Sequence, residues 1–134
     1  MQIKQLLDAR PGAVISLPCS KSVADAARAL MAHYVGALVV TNDMGEVMGV
    51  LSERDIAVAV ALYPAELESV EIKDVMTGKV LTCSPHDSVK RVADLMIEND
   101  VRHIPVVDGA DVVRMISMRD LFRVLDENFG IAVA

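Results

Sequence analysis

The stretch VLSERD at residues 50–55 returns as MISMRD at residues 115–120. Both run apolar, apolar, Ser, any residue, Arg, Asp, and Ser52 and Ser117 stand 65 residues apart in a chain of 134. A string that recurs at half the chain length points to internal duplication, which governs every other reading of the chain. Working outward, SVADAARALMAHYVGALVV (22–40) aligns with SVKRVADLMIENDVRHIPVV (88–107) at an offset of 66. The offset falls to 65 after the next turn, because NDMGE is one residue longer than DGAD. Before the aligned blocks, IKQLL (3–7) matches IKDVM (72–76) at an offset of 69. The slips fall in apparent loops, where changes of length cost little.

Each copy carries the same series of signals. A short apolar stretch, Val14–Leu17 or Val80–Thr82, predicts a strand. Pro18 and Pro85 then precede a helix with apolar residues on one face: Val23, Ala26, Ala27, Leu30 and Met31 in the first copy, Val89, Val92, Ala93, Met96 and Ile97 in the second. Two strands follow, Ala37–Thr41 with Val47–Leu51 and Ile104–Val107 with Val112–Ile116, joined by turns of Asn, Asp and Gly. A second helix begins after Ser52 and after Ser117. The spacing thus predicts an α/β (α+β) fold of two tandem βαββα repeats, divided at 1–65 and 66–134, with PAELESVE (64–71) as connector. One unit of about 60 residues buries too little surface alone, so two are expected to pack face to face about a pseudo-two-fold axis.

Composition narrows the classes of function. The chain has no Trp, two Phe and two Tyr, so its interior must be aliphatic. A formal charge of −6 argues against a nucleic-acid partner, whose phosphates demand clustered Lys and Arg. Eight of the 13 basic residues nevertheless lie after residue 66, and a local positive patch suits an anionic small molecule. The N-terminus MQIKQLLDARPG lacks an apolar core of signal-peptide length, and IAVAVALYP (56–64) is far short of the roughly 20 residues of a membrane span. With Cys19 and Cys83 outside any C-x-x-C pair, the expected setting is a reducing cytoplasm without membrane association. The helix IAVAVAL is apolar on every face, which predicts burial on all sides and, with it, a second chain against this end.

Catalysis and metal binding find little support. His33, His86 and His103 show no metal-ligand spacing, and no G-x-S-x-G, P-loop or G-x-G-x-x-G is present. The Ser-x-x-Asp strings carry two meanings. At a strand-to-helix junction they are capping boxes, with Ser accepting from an early helical N–H and Asp reaching back. The same carboxylate, accepting two hydrogen bonds, suits the paired hydroxyls of a ribose, and the helix start and Ser hydroxyl suit a phosphate. Arg54 and Arg119 add charge beside each Asp.

Two βαββα copies, with RHIPVVD before one hairpin and apolar-apolar-Ser-x-x-Asp after both, resemble a tandem pair of CBS (cystathionine-β-synthase) domains, a Bateman module, from about Ile3 to Leu125. That resemblance implies a stand-alone regulatory module that requires no cofactor. It implies a regulatory ligand containing adenosine, such as AMP, ADP, ATP or NAD, held in a cleft between the repeats. It also implies a homodimer that signals to an unknown regulated protein. By resemblance, Asp55 and Asp120 grip ribose, while Ser52, Arg54, Ser117 and Arg119 lie by phosphates. Asp120 is then expected to face Ala13, Val35 and Gly36 of the opposite repeat, and Asp55 to face Thr77, Val80 and Val101. Arg102 and His103 occupy positions where such modules place phosphate-contacting basic groups; Gly36 and Ala37 stand there in the first copy, so the two sites should differ. The competing expectation is an interaction scaffold that carries no ligand, working through helix 53–63 and its surface methionines.

Overall fold

The computed structural model describes residues 1–129; the last five residues of the second repeat, 130–134, lie outside them. In chain order the elements are α1 (Ile3–Ala9), β1 (Ser16–Pro18), α2 (Val23–His33), β2 (Ala37–Thr41), β3 (Val47–Ser52) and α3 (Glu53–Leu62). A single 3₁₀ turn (Ile72–Asp74) follows, then α4 (Val89–Asn99), β4 (His103–Asp108), β5 (Asp111–Ser117) and α5 (Met118–Phe129). The mixed α/β architecture expected of two βαββα repeats is present, with a sheet β1-β2-β3 and a sheet β4-β5. In the first sheet β1 pairs parallel to β2 and β3 antiparallel to it; in the second β4 and β5 are antiparallel.

The chain forms two compact units, residues 14–80 and residues 1–13 with 81–134. This division is not the cut between repeats at residue 65, and the short aligned segments explain it. Ile72 donates its N–H to Lys21 and Lys73 to Cys19, while Val23 donates to Val70. Ile3 donates to Asp87, Lys4 to Pro85 and Val89 to Met1, the same three bonds in the other copy. The segment before the second repeat is therefore stitched to the first repeat, and the N-terminal segment to the second. Ile3 and Ile72 are each fully buried where they arrive. The connector 64–71 is also part of this stitching, since Ala24 donates to Leu67 at the start of α2.

Both cores are aliphatic. Ala26, Leu30, Leu38, Val40, Leu51 and Ile72 cluster in one unit; Ile3, Leu6, Met96, Ile104, Val106, Ile116 and Leu121 are among those of the other. The aromatic side chains that are described, Tyr34, Tyr63 and Phe122, are all exposed.

Three local expectations are corrected. Val80–Thr82 forms no strand; a single parallel bridge joins Cys83 to Val106 instead. The cause is proline. In the first copy Val39 donates to Ile15 and Cys19 to Thr41, flanking β1. The aligned donors in the second copy are Pro105 and Pro85, which have no N–H, so only the inner bonds Cys83 to Pro105 (3.0 Å) and Val107 to Cys83 (2.8 Å) remain. Met31 and Ile97, the last members of the two helical stripes, are 72% and 71% exposed at the edge of their stripes, one position after the buried Leu30 and Met96. Helix α3 is not buried on all sides by this chain: Ile56 and Ala59 turn inward, whereas Val58, Val60 and Leu62 lie open.

Helix starts are well made. Ser22 caps α2 through Asp25 N–H (3.0 Å), and the Ser22 N–H and hydroxyl hold the Asp25 carboxyl below its ordinary range. Ser88 caps α4 through Arg91 N–H.

Two outcomes follow from this packing. Ile3→Ala should cost about 2–5 kcal/mol, and hydrogen exchange should lose protection in residues 83–125 rather than in 16–62; the reverse pattern would refute the exchanged segments. Burial and the neighbouring Asp87 push the Cys83 thiol up to about 12, so it stays protonated at pH 8 and should react with iodoacetamide only as the unit opens. Rapid native labelling at Cys83, read by peptide mass, would contradict that.

Candidate functional site

The repeated Ser-x-x-Asp strings are the two junctions where a strand runs straight into a helix. Ser52 is the last residue of β3 and the N-cap of α3, with extended backbone (φ −111, ψ 167). Asp55 N–H donates to Ser52 Oγ at 3.3 Å. In return, Asp55 Oδ2 accepts from Ser52 N–H at 2.9 Å and from Ser52 Oγ at 3.2 Å. At α5 the pattern repeats: Asp120 N–H donates to Ser117 Oγ at 3.1 Å, and Ser117 N–H donates to Asp120 Oδ2 at 2.8 Å. Capping is therefore what both strings do for the fold, and it engages one side of each carboxylate. Both aspartates are half-buried, at helix ends whose partial positive charge favours an anion.

Other residues converge on each start by a shared rule. In unit 14–80 Ala37 pairs with Ser52 across the hairpin, and Glu53 N–H donates to Gly36 O at 3.0 Å. In the other unit His103 pairs with Ser117, and Met118 N–H donates to Arg102 O at 2.8 Å. Gly36 and Arg102 thus hold equivalent places beside a helix start, one bare and one cationic. Val35 and Val101 precede them, half-buried, and pack against their own cores. Arg54 and Arg119 are exposed on the first turns. Two helix-start N–H groups at each junction are spent within the protein, on Ser Oγ and on the Gly36 or Arg102 carbonyl. A phosphate therefore has fewer backbone donors here than the bare sequence offers.

The remaining sequence-expected residues divide between the units. Thr77 lies with Asp55: its Oγ1 donates to Asp55 Oδ1 at 3.4 Å. It arrives there through a bridge to β3, with Val50 N–H to Thr77 O at 3.2 Å and Thr77 N–H to Val50 O at 3.1 Å. Val80, half-buried, closes the same unit, and Ala13, exposed, ends the N-terminal segment of the other.

Two residues were missed at the sequence level. A Cβ on Gly49 would stand 2.4 Å from Thr77 O, so only glycine admits the Thr77 main chain. At the aligned position the second copy has Arg114, whose guanidinium donates to Arg10 O (2.5 Å) and Leu7 O (3.3 Å) at the end of α1. The signal was available: a glycine inside a strand marks close backbone approach, and MGVLS set over VRMIS displays the exchange. Among the described residues no three His, Cys, Asp or Glu side chains gather as a metal site.

Comparison with known proteins agrees with this architecture. The model of the CBS domain matches residues 10–62 and again 72–127. The mitochondrial CBS domain-containing protein CBSX3 of Arabidopsis thaliana is 33% identical over 76% of this chain and 52% of its own length. The chain thus spans about half the length of that curated relative. Among solved structures, a CBS-domain protein of Agrobacterium tumefaciens is 31% identical, with a TM-score of 0.85 over 91% of each chain. A CBS domain protein from Pyrobaculum aerophilum, complexed with AMP, is 27% identical with a TM-score of 0.80, covering 90% of this chain and 89% of its own. A CBS domain pair in complex with 5′-methylthioadenosine and S-adenosylmethionine is 25% identical with a TM-score of 0.82, covering 95% and 97%. Two matched family segments, two repeats of helix, hairpin and helix, and two capped helix starts lead to one conclusion: the chain belongs to the CBS-domain family and carries a pair of these domains.

Proposed function

We propose that this protein is a regulatory module that binds an adenosine-containing nucleotide, of the AMP, ADP, ATP or NAD kind, and passes the bound state to a partner protein. The observation that carries the reading is the pair of capped carboxylates, Asp55 and Asp120, each beside an arginine at a helix start. A carboxylate with an acceptor site beyond its cap suits a ribose diol, and Arg54, Arg102, His103 and Arg119 suit the phosphates. Ser52 and Ser117 border those phosphates; Val35, Gly36, Ala13, Thr77, Val80 and Val101 are the proposed contacts to base and sugar. Similar pairs complexed with AMP, or with S-adenosylmethionine and 5′-methylthioadenosine, support the choice of ligand class.

The role is regulatory and not catalytic on this reading. A ligand shifts a conformational or oligomeric equilibrium only as far as it prefers one form, and phosphate charge among several arginines supplies such a preference. We place the protein in the cytoplasm, on the two free thiols of Cys19 and Cys83; among the described residues no helix is long and apolar enough to cross a membrane. A net charge of −6 supports a small-molecule ligand over a nucleic acid.

A second reading, a homodimeric interaction scaffold that needs no ligand, is favoured by α3. Ala57, Val58, Ala61 and Leu62 recur at helical spacing on its open side, with Leu62 63% exposed. An apolar stripe of this kind is normally covered.

A thermal-shift panel with AMP, ATP, NAD and S-adenosylmethionine separates the readings. A ligand at 100 times Kd adds about 2.7 kcal/mol and should raise Tm by several degrees; no rise with any of the four at millimolar concentration favours the scaffold. For the dimer, light scattering behind size exclusion should give twice the chain mass, falling to one chain in Leu62→Glu. A monomeric wild-type protein would end the dimer proposal.

A further inference from the structure

The hairpin turns of the two repeats are closed by different chemistry. In the first, NDMGE (42–46) is tied down by its own side chain. Asn42 Oδ1 accepts from Met44 N–H and from Glu46 N–H, each at 2.9 Å, and Asn42 Nδ2 donates to Glu46 Oε1 at 3.0 Å. In the second, Asp108 and Asp111 pair as the last rung of β4 and β5, and only Gly109 and Ala110 turn the chain. Gly109 has φ 64 while Ala110 keeps a negative φ, the shape in which glycine takes the first place of a two-residue loop.

Two reactive groups stand next to each other at this turn. Asp108 is exposed, and among the described residues its carboxyl accepts no hydrogen bond and joins no ion pair. The Gly109 N–H donates to no described carbonyl, and a Cβ on Gly109 would have nothing within 4 Å. Asp25 and Asp87, which also precede a small residue, are held instead, by Ser22 N–H at 3.3 Å and by Ser84 N–H at 2.8 Å. Nowhere else in the chain does an Asp or Asn precede a glycine. Lacking a Cβ, a glycine nitrogen approaches the preceding carboxyl carbon without a clash.

We infer that Asp108–Gly109 is a site of spontaneous backbone rearrangement, where a succinimide forms and isoaspartate accumulates. The Gly109 nitrogen attacks Asp108 Cγ; the amide proton and the carboxyl OH leave together as water, and a cyclic imide remains. Water then adds to one of the two imide carbonyls. Addition at Cγ breaks the Cγ–N bond and restores aspartate. Addition at the main-chain carbonyl carbon breaks the original peptide bond, so the chain runs through Cβ and Cγ and the former main-chain carboxyl is free. Water is lost and regained, and no oxidant or reductant takes part. The product lengthens the main chain by one carbon at the tip of the hairpin, out of step with the Asp108–Asp111 rung. Ser117 lies six residues along β5 from Asp111, about 20 Å away, so the capped start of α5 is beyond its reach.

The test is incubation of the full chain at neutral pH and 37 °C in water enriched in heavy oxygen, followed by digestion and peptide mass measurement. Each passage through the imide exchanges one oxygen. The peptide containing Asp108 and Gly109 should therefore gain one heavy oxygen, and its isoaspartyl form should elute as a separate peak of equal mass. Peptides containing Asp25 and Asp87 should take up label at least about tenfold more slowly. Asp108→Glu, which keeps the charge but would have to close a larger ring, should show no uptake at the turn. A parallel incubation in guanidinium chloride measures how far the fold protects the site; the folded chain should exchange within about tenfold of the unfolded one. Uptake at Asp108 no faster than at Asp25 and Asp87, or undiminished uptake in Asp108→Glu, would overturn the assignment. So would a folded chain that exchanges more than about tenfold below the unfolded rate, since the turn would then shield the pair.

Discussion

The reciprocal hydrogen bonds between Ser and Asp at the starts of α3 and α5 are the constraint around which each repeat is organised. A helix that begins directly at a strand end leaves N–H groups without partners, and a buried one costs free energy comparable to a lost hydrogen bond. Ser52 with Asp55, and Ser117 with Asp120, remove part of that cost in one move. The carbonyls of Gly36 and Arg102 take the next donors. The cap therefore fixes the register between the second strand, the helix and the residue that precedes the first hairpin strand. It also holds a carboxylate still at a helix end. A group serving the fold in this way is preorganised for a ligand at no added conformational cost.

The second organising feature is the exchange of segments. Each repeat is completed by a short stretch that precedes the other repeat in sequence, through three matched backbone bonds and one buried isoleucine. Twofold similarity ends at the details. The N-terminal stretch forms two turns of α-helix, capped at its end by Arg114, whereas its partner forms a single 3₁₀ turn and then reaches β3 as Thr77. The prolines at 85 and 105 reduce a parallel strand to one bridge on one side only. Duplication supplied equal frames, and substitutions of Gly, Pro and Arg made them unequal where backbone passes close to backbone.

A large part of the fold and the placement of the candidate site were legible in the residues. The offset repeat, the helical stripes, the Asn/Asp/Gly turns and the Ser-x-x-Asp junctions are local signals, and each depends on neighbours within four residues or on a period. The aliphatic interior followed from near-absence of aromatics. What misled was also local. The string IAVAVAL reads as buried all round, yet only Ile56 and Ala59 turn inward, because burial depends on which elements lie opposite. Met31 and Ile97 satisfy the period but stand at the exposed edge of their stripes.

The sequence by itself determined the duplication, the order βαββα, the caps and the identity of the two aspartates, since all of these are written in spacing and in short-range hydrogen bonding. Only the tertiary structure decided which segment completes which repeat, and that Thr77 meets Asp55 while Arg114 meets the end of α1. Those contacts join residues from 22 to 107 positions apart. No periodicity encodes them; they depend on whether a backbone has room to approach, which is a property of the packed chain.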